Sequence, residues 1–312
     1  MSPQTPTPRG WTAADIPLQL DKRVVVTGAN SGLGLQTALA LARHGASVTM
    51  AARDAKRGAD AVARVKELSG SDRVELAILD LADLSSVRAF ADAWTGRLDL
   101  LVNNAGIMAV PEGRTADGFE TQFGTNHLGH FALTGLLLPA LRESAAARVV
   151  TVSSVAHLMG RIDFDDLQGD RHYSRWGAYG QSKLANLLFT RELAQRLHAH
   201  RDPVIAVAAH PGVSATNLSR GPFNGNEALR AAFRPIERTF SQPDSAGAEP
   251  SLYAATMPDV RNNEYFGPSA GTRGHPARAG RTPRARDGAV ANRLWAVSET
   301  LTGVTFSDLP AA

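Results

Sequence analysis

The sequence contains no cysteine, which excludes disulfide scaffolds, thiolate metal sites and cysteine nucleophiles. It also has no apolar run approaching the about 18–20 residues that a membrane-spanning helix needs, so no membrane anchor is expected. Residues 1–17 lack the apolar centre of a secretory signal and carry Pro3, Pro6, Pro8 and Pro17. Residues 1–20 are therefore expected to form a flexible arm, and the protein to be cytoplasmic. Charge of one sign is scarce: 33 basic and 30 acidic residues leave a net charge of +3, too little to draw nucleic acid. With 43% hydrophobic and 20% charged residues the composition is that of a globular domain and excludes global disorder and collagen-like repeats.

What is present is a regular alternation. Residues 22–27 are a β-branched apolar run, a glycine-rich turn follows, and residues 35–44 have helical spacing closed by Gly45. Residues 46–52 are a second apolar run, and 54–68 a helix for which Asp54 suits the N-cap. Further strands are predicted at 73–79, 98–102, 148–153 and 204–209. Further helices are predicted at 84–94, at 115–141 with interruptions near Gly129 and Gly135, and at 178–198. Strands that are apolar throughout belong in a parallel sheet covered on both faces. The expected fold class is α/β: a doubly wound, mostly parallel sheet of about seven strands with helices on both faces. One domain is expected over residues 21–312. Residues 160–176 and 213–245 break the rhythm as excursions, and the glycines and prolines of the second suit a substrate lid.

The turn reads Gly28-Ala29-Asn30-Ser31-Gly32-Leu33-Gly34. Its glycines permit a tight bend and close approach of a ligand, and the helix start after it offers N–H groups and partial positive charge to a pyrophosphate. The spacing is not the GxGxxG fingerprint. Its place after the first strand nevertheless favours a nucleotide over a plain connecting loop, because ligands bind at the carboxyl ends of such strands. An acid at the end of the second strand would take a ribose 2′-hydroxyl, and an arginine a 2′-phosphate. Arg53 stands there, so NADP(H) is the expected cofactor, with NAD(H) second. Asp80, in Leu79-Asp80-Leu81, suits either an adenine contact or a helix-initiating turn. Asn103-Asn104-Ala105-Gly106 suits either a backbone lying beside the cofactor or a β-turn.

Tyr179 and Lys183 are four residues apart and share one helix face. A nearby ammonium favours a phenolate, so the pair suits either proton exchange with an alcohol oxygen or, as such a pair more often does, plain packing at the surface. Ser153 and Ser154 close a strand, where a hydroxyl can bond a substrate carbonyl or cap a turn. Asn126 is a poor helix former inside a predicted helix, either a buried amide with a task or a solvent-facing one. His127, His130, His157 and His210 lack a recognisable ligand pattern and read as packed or loop residues, so no metal is expected. The arginines at 273, 278, 281, 284 and 286 lack aromatic stacking partners in sequence and read as a mobile, solvated loop.

These motifs occur in one order on one α/β pattern, with His210-Pro211-Gly212 as the last. Together they resemble the short-chain dehydrogenase/reductase family, of Rossmann type, over about residues 20–270. Asn126-His127-Leu128-Gly129-His130-Phe131, Ser153-Ser154-Val155-Ala156-His157 and Tyr179-Gly180-Gln181-Ser182-Lys183-Leu184-Ala185-Asn186 are similar to its retinol-dehydrogenase-like branch, as is the ending Arg293-Leu294-Trp295. The resemblance implies that Tyr179 donates and accepts the proton, Lys183 lowers its pKa and holds the nicotinamide ribose, Ser154 orients the carbonyl and Asn126 anchors a relay water. It implies cofactor contacts from Gly28, Asn30, Ser31, Gly32, Leu33 and Gly34, from Arg53, Asp80 and Leu81, and from Asn104, Ala105 and Gly106. Pro211, Gly212, Val213 and Thr216 would lie by the nicotinamide.

The implied activity is hydride transfer between NADP(H) and a small carbonyl or alcohol substrate. Two rivals stay open at this stage: a cofactor-sensing binding protein without turnover, and a light-dependent or C=C reductase. Ser154 precedes Tyr179 by 25 residues, more than in the family's compact members, with residues 160–176 as the extra piece. The animal retinoid enzymes are usually membrane-attached, so a retinoid substrate does not follow for this chain. Relatives often pair through the tyrosine helix, which leaves a homo-oligomer open, with residues 160–176 placed to block that face.

Overall fold

The β-branched runs become strands because both of their faces find apolar cover. In the computed structural model, which describes residues 10–212, 243–306 and 309, β1 (Arg23–Thr27) sends Val24 and Val26 to one side and Val25 to the other. The remaining strands are β2 (Ser47–Ala52), β3 (Val74–Ile78), β4 (Leu100–Asn103), β5 (Arg148–Val152), β6 (Ile205–Ala209), β7 (Tyr265–Pro268) and β8 (Pro276–Arg278). Their order is β3-β2-β1-β4-β5-β6-β7-β8. Every pairing is parallel except β7 with β8. Among the described residues the sheet thus has eight strands, one more than expected from the sequence, the extra one being a three-residue antiparallel edge.

Helices α1 (Gly32–Arg43), α2 (Ala55–Ser69) and α7 (Asp244–Thr256) cover one face, around Leu41, Val65 and Tyr253. Helices α3 (Leu84–Ala93), α5 (Gly129–Arg142), α6 (Arg175–Ala199) and α8 (Gly288–Thr302) cover the other, around Phe131, Phe189 and Trp295. Asp54 caps α2 by accepting from the Arg57 N–H at 2.9 Å. Strand order reverses between β1 and β4, so their carboxyl ends, at Thr27 and Asn103, flank the crevice where such sheets bind ligands. Among the described residues, no helix is long and apolar enough to cross a membrane.

Three expectations change. The predicted helix over 115–141 starts later, as the short α4 (Thr121–Phe123), passes through a π turn at Gly124–Leu128 and continues as α5. Gly129 and Gly135 do not interrupt it: a Cβ on Gly129 would press on the Leu81 carbonyl oxygen at 2.4 Å and one on Gly135 on Val304 and Phe306. These glycines serve close packing. The flexible arm is not flexible from Gly10 onward. Trp11 is 3% exposed, stacks edge-on against Tyr253 at 5.2 Å and donates its indole N–H to Met257 Sδ. Residues 1–9 lie outside the described residues.

The arginine-rich stretch is likewise not a solvated loop. It contains β8, Arg278 pairs with Glu264 and Asp259, Arg281 bonds Asn263, and Arg284 donates to the Gly160 carbonyl at 3.1 Å. Residues 160–174 form the expected excursion from the sheet, and it is tied down: Asp163 N–H donates to Gln181 Oε1 on α6, Tyr173 donates to the Val110 carbonyl and Arg114 pairs with Asp170. The lid expected at 213–245 falls, up to 242, outside the described residues.

Candidate active site

β1 runs into the glycine turn, where Gly28 takes φ +65° and Gly32 φ +57°, a region closed to most side chains. A Cβ on Gly34 would stand 2.5 Å from the Gly28 carbonyl oxygen and 2.6 Å from Asn104 Nδ2. A Cβ on Gly28 would stand 2.9 Å from Ala105. The turn is therefore pressed against the end of β4. Asn104 Nδ2 fastens it by donating to the Thr27 carbonyl at 2.7 Å.

Above this junction opens a cavity of about 750 Å³. Twelve of the sequence-predicted residues line it: Gly28, Asn30, Ser31, Gly32, Leu33 and Gly34 from the turn, Arg53 beyond β2, Asp80 and Leu81 beyond β3, and Asn104, Ala105 and Gly106 beyond β4. The cavity runs past the ends of β1, β2, β3 and β4 and is bordered by the glycine turn and Gly106, where no side chain stands in the way of an extended dinucleotide. Arg53 is joined by Arg57, one turn along the start of α2, and both are exposed. Asp80 serves its own turn as well, its carboxylate accepting from the Ala82 N–H at 2.9 Å. Pro211 and Gly212 follow β6 at the same edge of the sheet, with Gly212 at φ +70° against the Thr272 carbonyl. Val213 and Thr216 lie outside the described residues.

The four proposed proton-handling residues do not line the cavity but cluster behind Gly106, which does. A Cβ on Gly106 would be 3.1 Å from Asn126 Oδ1 and 3.3 Å from Lys183 Nζ. Asn126 is fully buried in the π turn. Its Oδ1 accepts from the Ile107 N–H at 2.8 Å, and its Nδ2 donates to the Ile107 carbonyl and to Ser182 Oγ, both at 2.9 Å. Lys183, on α6, donates to the Val152 carbonyl at 3.1 Å. Ser154 caps the turn after β5, accepting from the Ala156 N–H, while Ser153 donates to the Lys183 carbonyl at 2.8 Å.

The electrostatics differ from the expected pairing. Burial pushes the Tyr179 phenol up, and it is the Ser154 hydroxyl that pulls it back. Lys183 stands over the ring, 5.8 Å from its centroid, and burial holds its ammonium down to about 8. The expectation that Lys183 lowers the Tyr179 pKa is therefore corrected: desolvation outweighs any pull that the ammonium exerts from over the ring.

Residues 22–225 match the profile of the short chain dehydrogenase family. The chain is a short chain dehydrogenase. This short chain dehydrogenase is 45% identical over 290 residues to retinol dehydrogenase 12 of Mus musculus, covering 91% of this chain and 87% of that one. It is 41% identical to retinol dehydrogenase 14 of Homo sapiens, with the same coverage. Among solved structures, an uncharacterized protein from Mycobacterium Paratuberculosis is 49% identical with a TM-score of 0.81, covering 95% of this chain and 99% of that one. The Pseudomonas aeruginosa RhlG/NADP active-site complex is 28% identical with a TM-score of 0.62, covering 80% of this chain and 95% of that one. The chain is an oxidoreductase of the retinol-dehydrogenase-like kind within this family.

Several site residues were missed from sequence. Arg57 carries a readable signal, four residues after Arg53. Ile107 and Met108 line the cavity directly after the Asn-Asn-Ala-Gly run. Ser182 and His130 hold Asn126 in place and announce themselves only by helical spacing from known members. The four histidines are all buried, with hydrogen-bond partners at Ser298, Thr27, the Ser154 carbonyl and the Gly212 N–H.

Proposed function

We propose that this short chain dehydrogenase is an NADP(H)-preferring enzyme that interconverts a carbonyl and an alcohol, using Tyr179, Lys183, Ser154 and Asn126. The observation that carries the reading is their clustering, all buried, behind Gly106, which lines a cavity that also holds two arginines. The retinol dehydrogenase names of its relatives support alcohol/carbonyl chemistry, and Arg53 with Arg57 supports a 2′-phosphate.

A bound nicotinamide would supply or take the hydride. The chain's part is binding and proton handling. Gly28, Asn30, Ser31, Gly32, Leu33 and Gly34 would cradle the pyrophosphate, Asp80 and Leu81 the adenine side, and Asn104, Ala105 and Gly106 the ribose side, where Lys183 would hold the nicotinamide ribose. Pro211 and Gly212 would bound the nicotinamide end. Tyr179, kept protonated at neutral pH by its burial, would give its proton to the substrate oxygen during reduction. Ser154 would orient that oxygen. Lys183 and Asn126 would return a proton through an anchored water.

The test is Tyr179→Phe, assayed by NADPH oxidation over a panel of aldehydes and ketones. Turnover should fall by about 10³-fold while NADPH still binds. Full activity in that variant would overturn the mechanism.

A further inference from the structure

The Thr27 hydroxyl sits where the glycine turn meets the end of β4, and the hydrogen bonds around it leave one consistent arrangement. Its oxygen accepts from the Asn104 and Ala105 N–H groups, each at 2.9 Å. The Asn104 N–H is shared with the Val102 carbonyl, also at 2.9 Å, so the hydroxyl's own bonds do not decide where its proton points: His130 Nε2 lies at 2.9 Å and the Val102 carbonyl at 3.3 Å. The other ring nitrogen decides. His130 Nδ1 lies 3.0 Å from the main-chain carbonyl of Asn126, which can only accept, so Nδ1 carries the proton. In a neutral imidazole Nε2 is then bare and accepts the Thr27 O–H as the nearer of its two acceptors.

We infer that His130 is a positioning residue, fixed as the Nδ1–H tautomer, that joins the dinucleotide turn to the proton-handling residues by accepting from Thr27 and donating to the Asn126 carbonyl. The tautomer requires a neutral ring. His130 is 1% exposed, and burial, aided by the nearby Lys183 ammonium, holds it down to about 4 against the opposing bond from Asn126. The chain of bonds then continues. Asn126 Nδ2 donates to Ser182 Oγ, and Ser182 donates to the Tyr179 carbonyl at 2.8 Å. Thr27, Asn126, His130 and Ser182 are each at most 1% exposed, so water cannot replace a lost bond cheaply. The π turn at Gly124–Leu128 matters here. Its Gly129 N–H reaches back to the Gly124 carbonyl, so the carbonyls of this turn do not follow the regular α-helical pattern. An imidazole one turn along fixes the direction of one of them.

The first test needs neither cofactor nor turnover. In 15N-labelled, cofactor-free protein, long-range proton–nitrogen correlation should show His130 protonated at Nδ1 and bare at Nε2. Thr27→Val should move the Nε2 resonance, and Thr27→Ser should not. An Nε2–H tautomer would overturn the assignment.

The second test rests on the proposed function and uses an aldehyde that the wild type reduces. His130→Leu and Thr27→Val should each lower kcat about 10-fold or more, with KM for the aldehyde within about twofold and NADPH binding weakened several-fold. Thr27→Ser should restore the wild-type rate, and the double variant should lose no more than the worse single one. Multiplying losses, or a lowered melting temperature with unchanged kcat, would reduce His130 to a packing residue. Should His130→Leu fail to fold, the Thr27 pair carries the same comparison. A wild type that turns over no aldehyde would sink the functional reading and leave the tautomer result standing.

Discussion

Arg53 and Lys183 are both cations of one site, yet they stand under different physics. Arg53 is exposed on the cavity lining, beside Arg57, where water and salt screen its field. Lys183 is 4% exposed, fastened to the Val152 carbonyl and held down to about 8 by burial alone. A charge on the surface tunes which ligand is preferred. On the proposed mechanism, a buried charge beside the reacting groups sets whether the chemistry proceeds at all. The exposed arginines should thus tolerate substitution at the level of cofactor choice, and the buried cluster should not tolerate it.

Lys183→Met should show the largest effect, a fall in kcat of about 10³-fold, measured with saturating NADPH. A loss below tenfold would place Lys183 in the same class as the surface arginines. Next comes Gly34→Val, which drives a side chain into the Gly28 carbonyl at 2.5 Å. The start of α1 must shift, so the free energy of unfolding from denaturant titration should drop by about 2–3 kcal/mol and NADPH binding should weaken more than about tenfold. The pH dependence of stability sharpens the contrast. Because Lys183 in the folded state loses its proton near about 8 rather than at its ordinary 10.5, the unfolded chain binds more protons between these values. Its contribution to stability therefore rises with pH across that window, by about 3 kcal/mol at most. Lys183→Met should flatten that part of the curve, and Arg53→Ala should leave it intact. The smallest effect is expected from Arg53→Ala and Arg57→Ala. Each should raise the NADPH KM roughly tenfold with NADH use unchanged, read from paired steady-state assays.

The cavity end was largely legible in sequence because its features are local. A β-branched run, spaced glycines and a cation after the second strand are each set by a few neighbouring residues, and twelve of those residues line one cavity. The buried cluster was legible only in its parts. Tyr179, Lys183, Ser154 and Asn126 stood out, but the opposing effect of burial on the phenol depends on packing from several elements, which spacing does not report. The last third of the chain was the least readable. Pro250 lies inside α7, and Pro268 and Pro276 lie in β7 and β8, where proline argues against regular structure; β8 is an edge strand, and tertiary packing overrides the local signal. Trp11 offered no such signal, since its partners are far away in sequence.

That distance has a consequence for how the molecule is made. Trp11 meets Met257 across a separation of 246 residues, and Ile16 belongs to the same apolar cluster. A polypeptide is made from its amino terminus onward, so Trp11 leaves the ribosome well before Met257 and is without this partner until the intervening chain has followed. Closing so wide a loop sets a late step in maturation.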